Sequence, residues 1–316
     1  MLQLNEILKN KEAVIKALAK KHFKAEEIIE NIIELDQVRR ESKAKLDNTL
    51  AESNRLAAEI GKLFKSGNRE AAEELKAKTT ELKELSKELS EKFDKAQEQM
   101  NKLIVEMPNM PCELVPEGKT AEDNVVVCQE GDIPELYDGA MPHWDLAKKY
   151  NIIDFELGNK VTGAGFPFYR GLGARLQRSL ITFFLNYAVD KGYTEYETPL
   201  LVNEASGFGT GQLPDKEGQM YHCQLDNFYL IPTAEVPLTN IFRDVILKED
   251  DLPIKSVAYS NCFRREAGSY GKDVRGLNRL HQFDKVEIVQ ISKPEESYQK
   301  LDEMVDHVAG LVRALG

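Results

Sequence analysis

Cysteine is scarce and scattered. Cys112, Cys128, Cys223 and Cys262 include no CxxC pair, so the chain carries neither a disulfide framework nor a thiolate metal site, and the thiols read as incidental. The five histidines form no HExxH-like spacing, and His222 beside Cys223 is a poor ligand pair because neighbours on a strand point to opposite faces. No protein-bound zinc is expected. No stretch approaches the roughly 20 apolar residues that span a bilayer; the longest greasy run, ITFFLNYAV, is far shorter. The amino terminus, MLQLNEILKNKEAVIKALAKKHF, carries charges throughout and lacks the apolar run of a signal peptide. A cytosolic location is expected. Walker and Rossmann glycine motifs are also missing, which argues against a doubly wound nucleotide fold. Positive charge is not in excess: 42 Lys and Arg against 53 Asp and Glu give a net charge of -11. That excludes a nucleic-acid coat working by charge alone and leaves room for a local basic groove.

What is present is a soluble, globular composition, 42% hydrophobic and 30% charged over 316 residues. That length suits two domains, or one domain with an elongated appendage. After a short amphipathic helix built on Ile7, Val14, Ile15 and Leu18, a heptad seam begins. Ile28, Ile32, Leu35, Arg39, Ser42, Leu46, Thr49, Ser53, Leu56, Ile60 and Leu63 advance by alternating steps of four and three. The seam breaks at Ser66-Gly67-Asn68, a turn composition, and resumes as Leu75, Thr79, Leu82, Ser86, Leu89, Phe93, Ala96, Met100 and Leu103. This predicts an antiparallel hairpin over about 25–103 whose helices reach roughly 60 Å at 1.5 Å per residue. Acidic and basic residues mix along it, so periodicity alone fits a dimerising or scaffolding coiled coil as well as an RNA-binding arm. Met107-Pro108-Asn109-Met110-Pro111 stops the second helix, because proline lacks the amide donor and restricts its predecessor. The expected domains are a helical arm, 1–107, and a second domain, 108–316.

In the second domain, Val125, Val126 and Val127 suggest a short strand, and a helix is expected over about 174–191 with Leu176, Leu180, Phe183, Phe184 and Val189 on its apolar surface. Gly192 ends it, and the extended TEYETPLLV follows, with Pro199 at an edge or strand end. Further strands are expected at 221–224, 228–231, 257–265 and 281–291. Several hairpin-linked strands with few helices between them favour an α+β domain with an antiparallel sheet.

Two strands carry the chemistry. Arg264 and Glu266, two apart on an expected strand, should share a face. An arginine fork matches phosphate oxygens, and a nearby carboxylate can accept from an amino group. A surface ion pair is the plainer reading of such an RxE. On the returning strand Phe283, Lys285 and Glu287 share a face, while Val286 and Ile288 fill the opposite side. Phe283 could cover a purine or simply pack in the core, and Glu287 could accept from an ammonium or lie on a solvated sheet face. The intervening AGSYGKDVRGLNRL holds Gly268, Gly271 and Gly276 with Lys272, Arg275 and Arg279, a loop that can meet phosphates or remain a plain solvent loop.

The run FRREAGSYGKDVRGLNRLHQFDKVEIVQ closely resembles the second signature motif of class II aminoacyl-tRNA synthetases, in the form found in bacterial seryl-tRNA synthetases. The segment around Pro199 resembles the first motif of that class, Thr233-Ala234-Glu235 its serine-binding loop, and the 25–103 hairpin its tRNA-binding arm. The resemblance covers essentially the whole chain. It implies a class II sheet domain following the arm, and an enzyme that activates L-serine with ATP and Mg²⁺ and transfers it to tRNA(Ser), with tRNA(Sec) as a further acceptor. It also implies a homodimer formed through the catalytic domain. Arg264 would bind the ATP α-phosphate, Glu266 would act on the adenine side, Phe283 would stack on adenine, and Arg279 would reach the outer phosphates. Arg264 and Glu266 would thus be the catalytic pair. Thr233, Glu235 and Glu287 would surround serine, and Lys272 and Arg275 would meet the tRNA acceptor end.

The sequence departs from the family pattern at its end. It stops after EESYQKLDEMVDHVAGLVRALG, before the third class II motif and its ATP-binding arginine, so the catalytic domain is expected to be incomplete and the 316 residues alone are expected to support little amino-acid activation. A tRNA-binding module without catalysis and a coiled-coil scaffold are the alternative functions.

Overall fold

The computed structural model describes residues 2–266 and 275–316, and the chain divides into two compact units, 1–133 and 134–316.

The first unit is helical. The expected amphipathic helix is two, α1 (Leu4–Lys9) and α2 (Lys11–Ala19), separated at Asn10, whose backbone leaves the helical region. Asparagine competes for local hydrogen bonds, and here its side chain donates to Glu6 Oε1 at 2.8 Å. The long helices α3 (Glu26–Lys65) and α4 (Arg69–Glu106) have 40 and 38 residues. They turn at Gly67, whose φ of +82° costs glycine little. At the base of the hairpin Ile7, Val14 and Leu18 are fully buried against Ile29, Ile32, Met100 and Met107. That packing widens the seam: Ile28 and Leu35 lie partly buried against it, and Ile29 beside them is enclosed. Asp36, 1% exposed, is held by Arg39 at 2.7 Å and Arg40 at 2.8 Å. Further along, Ser42, Leu46, Thr49 and Leu56 are buried at the expected positions. The Thr49 hydroxyl is satisfied by donating to the Lys45 carbonyl at 2.8 Å. No strand forms at Val125–Val127, which are strongly exposed. Valine favours extended backbone, but a strand needs a neighbouring ladder, and none pairs with these residues among those described.

The second unit opens with α5 (His143–Lys149), β1 (Ile153–Asp154), α6 (Phe155–Val161) and β2 (Phe168–Tyr169), with β1 and β2 antiparallel. Asp154 caps α6 by accepting the Leu157 N–H at 2.8 Å. The helix expected at 174–191 is α7 (Leu172–Val189). It is followed by β3 (Thr194–Glu197) and β4 (Leu201–Asn203), divided around Pro199 and assigned to different sheets. Then come α8 (Glu204–Gly209), β5 (His222–Cys223), β6 (Phe228–Leu230), α9 (Glu235–Asn240), β7 (Ile254–Phe263), β8 (Gln282–Ile291) and α10 (Ser297–Arg313). The main sheet has the order β3-β7-β8. Its ten-residue β7–β8 pair is antiparallel as expected, and β3 joins parallel to β7. Val257, Val286 and Ile288 turn one sheet face towards Leu185 and Ala188 of α7, while on the other face Ala258 and Val289 pack with Ala234 and with Leu238 of α9. Among the described residues no helix is long and apolar enough to cross a membrane.

One strand boundary differs from the sequence expectation. β7 ends at Phe263, not Arg265. The Arg264 N–H still donates to the His281 carbonyl on the β8 side at 3.0 Å, but the Arg265 N–H turns to the Gln219 carbonyl at 2.8 Å. Glu266 then adopts φ +50°, which extended pairing cannot accommodate. Strand alternation therefore does not place Arg264 and Glu266 on a common face.

Candidate active site

β7 and β8 build the floor of the site. Their register sets Ala258 opposite Glu287, Ser260 opposite Lys285 and Cys262 opposite Phe283, and opposed residues in an antiparallel pair share a face. The β7 members are small and buried, so the three larger β8 side chains rise over a low floor. Phe283 and Glu287 are four residues apart, about 14 Å along the strand at 3.4 Å per residue. That span holds an aromatic group at one end and a carboxylate at the other.

At the carboxylate end, residues far apart in sequence converge. The Phe263 N–H donates to the Ile231 carbonyl at 2.9 Å, tying the loop before α9 to the end of β7. Thr233, 3% exposed, is thereby held over β8, where its hydroxyl donates to Glu287 Oε2 at 2.6 Å. The same oxygen of Thr233 accepts the Glu235 N–H at 3.2 Å and the Lys285 ammonium at 3.1 Å. Lys285 also forms an ion pair with Glu287. Glu235 is open to solvent at its side chain, yet the surrounding walls, and secondarily the Glu287 charge, push its carboxyl above the ordinary range, with Lys285 pulling the other way. Cys262, beneath them, has its thiol pushed up by burial, and so stays a thiol.

At the aromatic end, the Arg264 guanidinium lies 5.2 Å from the centroid of the Phe283 ring, a cation–π arrangement. Arg279 and Glu266 form an ion pair. Arg264, Phe283, Arg279 and Glu266 thus fall into two pairs. Arg275 is exposed, and Lys272 lies outside the described residues.

Two histidines brace this end without having been singled out in the sequence. The His281 ring stacks on Phe166 at 5.4 Å. Its Nδ1 lies 3.0 Å from the Tyr221 hydroxyl and 3.1 Å from the Arg264 carbonyl. The His143 Nε2 accepts the Leu277 N–H at 2.8 Å. Nothing local to HQF or PHW announces these contacts, since the partners lie 17, 60 and 134 residues away. Lys285 was legible as a member of the face, but its bond to Thr233 was not. Among the described residues no group of three or more His, Cys, Asp or Glu gathers as a metal site.

Residues 1–111 match the family described as seryl-tRNA synthetase N-terminal domain, and residues 221–316 match the tRNA synthetase class II core domain (G, H, P, S and T). The chain is 47% identical over 315 residues to the serine–tRNA ligase of Salinibacter ruber, covering 100% of this chain and 74% of that one. It is 46% identical over 319 residues to the serine–tRNA ligase of Caldicellulosiruptor bescii, again covering 74% of the relative. Among solved structures it is similar to seryl-tRNA synthetase from Pyrococcus horikoshii complexed with ATP. There the TM-score is 0.84 at 30% identity, over 99% of this chain and 74% of that one. The cytoplasmic serine–tRNA ligase of Naegleria fowleri in complex with AMP shares the fold, with a TM-score of 0.78 at 24% identity over 97% of this chain and 70% of the other.

Proposed function

The chain belongs to the seryl-tRNA synthetase family, and from that premise we propose that the β7–β8 face binds ATP at its Phe283 end and L-serine at its Glu287 end. The observation that carries the reading is the convergence of Thr233 on Glu287, in line along one strand with a ring that carries Arg264 above it. An amino acid and a nucleotide bound end to end on that face bring carboxylate and α-phosphate together between them, and bringing reactants together in this way is a large part of the catalysis.

In this reading Phe283 stacks on adenine, Glu266 acts on the adenine side, Arg264 meets the α-phosphate and Arg279 the outer phosphates. Both arginines would exchange present partners, the Phe283 ring and Glu266, for phosphate oxygens. Mg²⁺ enters on the triphosphate as part of the substrate. Thr233, Glu235 and Glu287 surround serine. A serine carboxylate oxygen attacks the α-phosphorus and the bond to the β-phosphate oxygen breaks, releasing pyrophosphate and leaving seryl-adenylate, with Arg264 facing the charge that develops. A terminal ribose hydroxyl of tRNA(Ser), or tRNA(Sec), then attacks the acyl carbon and releases AMP. Arg275 and Lys272 are the residues proposed to meet that acceptor end.

Serine-dependent ATP–pyrophosphate exchange across a panel of amino acids tests this, with the protein at the full length of its relatives. Exchange with serine is expected. Exchange driven by a different amino acid, or by none, would overturn the assignment.

The α3–α4 hairpin, within residues 1–107, is proposed as the tRNA-binding arm, supported by its match to the N-terminal domain family. Filter binding should show saturable preference for a tRNA with a long extra arm, and equal weak binding to all RNAs would count against it. Dimerisation is assigned to the catalytic domain, 108–316, around the segment at Pro199.

A further inference from the structure

Two of the three groups assigned to serine, Thr233 and Glu287, are already engaged by an ammonium. Lys285 Nζ donates to Thr233 Oγ1 at 3.1 Å and pairs with Glu287 Oε2. The Thr233 hydroxyl has no capacity left, since it also accepts the Glu235 N–H and donates its proton to Glu287 Oε2. A second ammonium brought to this corner meets a saturated hydroxyl, a partly neutralised carboxylate and a like charge. Taking the place of Nζ removes the like charge and frees the contacts to Thr233 Oγ1 and Glu287 Oε2 together.

Lys285 is built to give way. Across the register its neighbour is Ser260, a small buried residue, so no bulky side chain on β7 clamps its stem. The Lys285 side chain is 35% exposed where Glu287 is 17%, so the lysine is the more open of the two and has a route outward. A lysine head is also a point charge on a flexible stem, able to re-form its contacts in a new direction.

We propose that Lys285 is an exchangeable internal ammonium that the substrate's α-ammonium displaces, and that the freed Nζ turns to the substrate's carboxylate. The inference rests on the reading of Glu287 as the ammonium acceptor. Its consequence is specificity. A ligand with both an ammonium and a carboxylate satisfies Glu287 and re-pairs the lysine, whereas an amine lacking the carboxylate evicts Lys285 and leaves it without an anion. Lys285 thereby selects zwitterionic amino acids over neutral-ended amines of the same side chain.

Equilibrium binding of L-serine and L-serinamide to the protein at the full length of its relatives, at a pH where both amines are protonated, tests this with Lys285→Met, Lys285→Gln and Lys285→Arg. The wild type is expected to prefer L-serine strongly. Lys285→Met removes the competing internal ammonium, so serinamide should tighten while L-serine loses its carboxylate partner, and the preference should collapse by about tenfold or more, the size of a charged hydrogen bond. Lys285→Arg, which keeps the charge, should retain most of the preference, and Lys285→Gln repeats the comparison should the methionine variant fold poorly. A loss of equal factor for both ligands would mark Lys285 as a structural support only, and no change in either would remove it from the site. Both results overturn the exchange while leaving the serine site standing. A wild-type protein that binds ATP but neither amine would instead overturn the serine reading itself, and the exchange with it.

Discussion

Thr233 and Glu287, 54 residues apart, meet through a 2.6 Å hydrogen bond in which the threonine hydroxyl donates to Oε2. The bond fixes the loop before α9 against the middle of β8 and aims one carboxylate oxygen at a defined point. Glu287→Gln keeps the shape and loses the charge. Serine should bind about tenfold to a hundredfold more weakly, the scale of a lost charge-assisted contact, with ATP affinity unchanged. Direct ATP binding and serine-dependent pyrophosphate exchange, measured under the same conditions, check this. Lost ATP binding with intact serine recognition would move Glu287 to the nucleotide half.

Arg264 and Phe283 provide the complementary test. Phe283→Leu removes the ring and keeps an apolar side chain, and should weaken ATP binding by about 1 kcal/mol, roughly fivefold, while sparing serine. Arg264→Lys keeps the charge and loses the planar fork, so the exchange rate should fall more than ATP affinity does. If Phe283→Leu affected serine alone, the two ends of the face would have to be exchanged.

The elements most legible in the sequence were those set by local periodicity. The heptad steps placed α3 and α4 and their turn at Gly67, and two-residue alternation on β8 grouped Phe283, Lys285 and Glu287. Legibility failed where tertiary contacts override the local pattern. Ile28 and Leu35 pack against the core as expected, but Ile29, beside the seam, is enclosed with them because α1 and α2 cover the base of the hairpin. The strand through Arg265 stopped early because Gln219, far away in sequence, offered that amide another acceptor. Val125–Val127 had strand propensity and no partner. The braces at His281 and His143 left no periodic trace at all, since each depends on a backbone group or hydroxyl that only the fold brings near.

The His143 brace makes Gly276 sensitive. Gly276 has φ +70°, and a Cβ built there would lie 2.0 Å from His143 Nε2, the atom that accepts the Leu277 N–H. Gly276→Ala should cost about 1–3 kcal/mol from strained backbone and the displaced imidazole. In the His143→Ala background the clash disappears, so the two substitutions should cost less together than their sum. Calorimetric unfolding of the four proteins of this cycle decides it. Simple additivity would show that the two sites do not couple.

The arm and the dimer should separate. α3 has its internal partner in α4, so deletion of residues 25–103 is expected to leave a dimer formed by the catalytic domain. Sedimentation velocity on the intact and arm-deleted proteins compares them. A shift wholly to monomer, under conditions where the intact protein is dimeric, would place the interface in the arm.

His307 on α10 gives stability a pH dependence. Its ring packs edge-on to Tyr187 at 4.9 Å and to Tyr193 at 5.3 Å, and Nδ1 is buried with no hydrogen-bond partner among the described residues. Burial first, and then the charges of Lys191 and Lys255, lower its pKa from the ordinary 6.5. The nearby Glu303 is engaged by Lys255 and Lys300, so it does not offset them. Because the folded value lies below the unfolded one, the unfolded chain takes up the proton first. The stabilisation is complete above the unfolded value near 6.5 and is lost as pH falls through the depressed folded value. His307→Gln removes this titration. The melting temperature of the wild type minus that of the variant should hold steady from about pH 8 to about pH 7 and shrink towards about pH 5. The difference between the two proteins cancels the carboxylates that titrate in both. A gap that does not change with pH would mean that His307 keeps its ordinary pKa in the folded protein, and that its packing against Tyr187 and Tyr193 leaves it free to protonate.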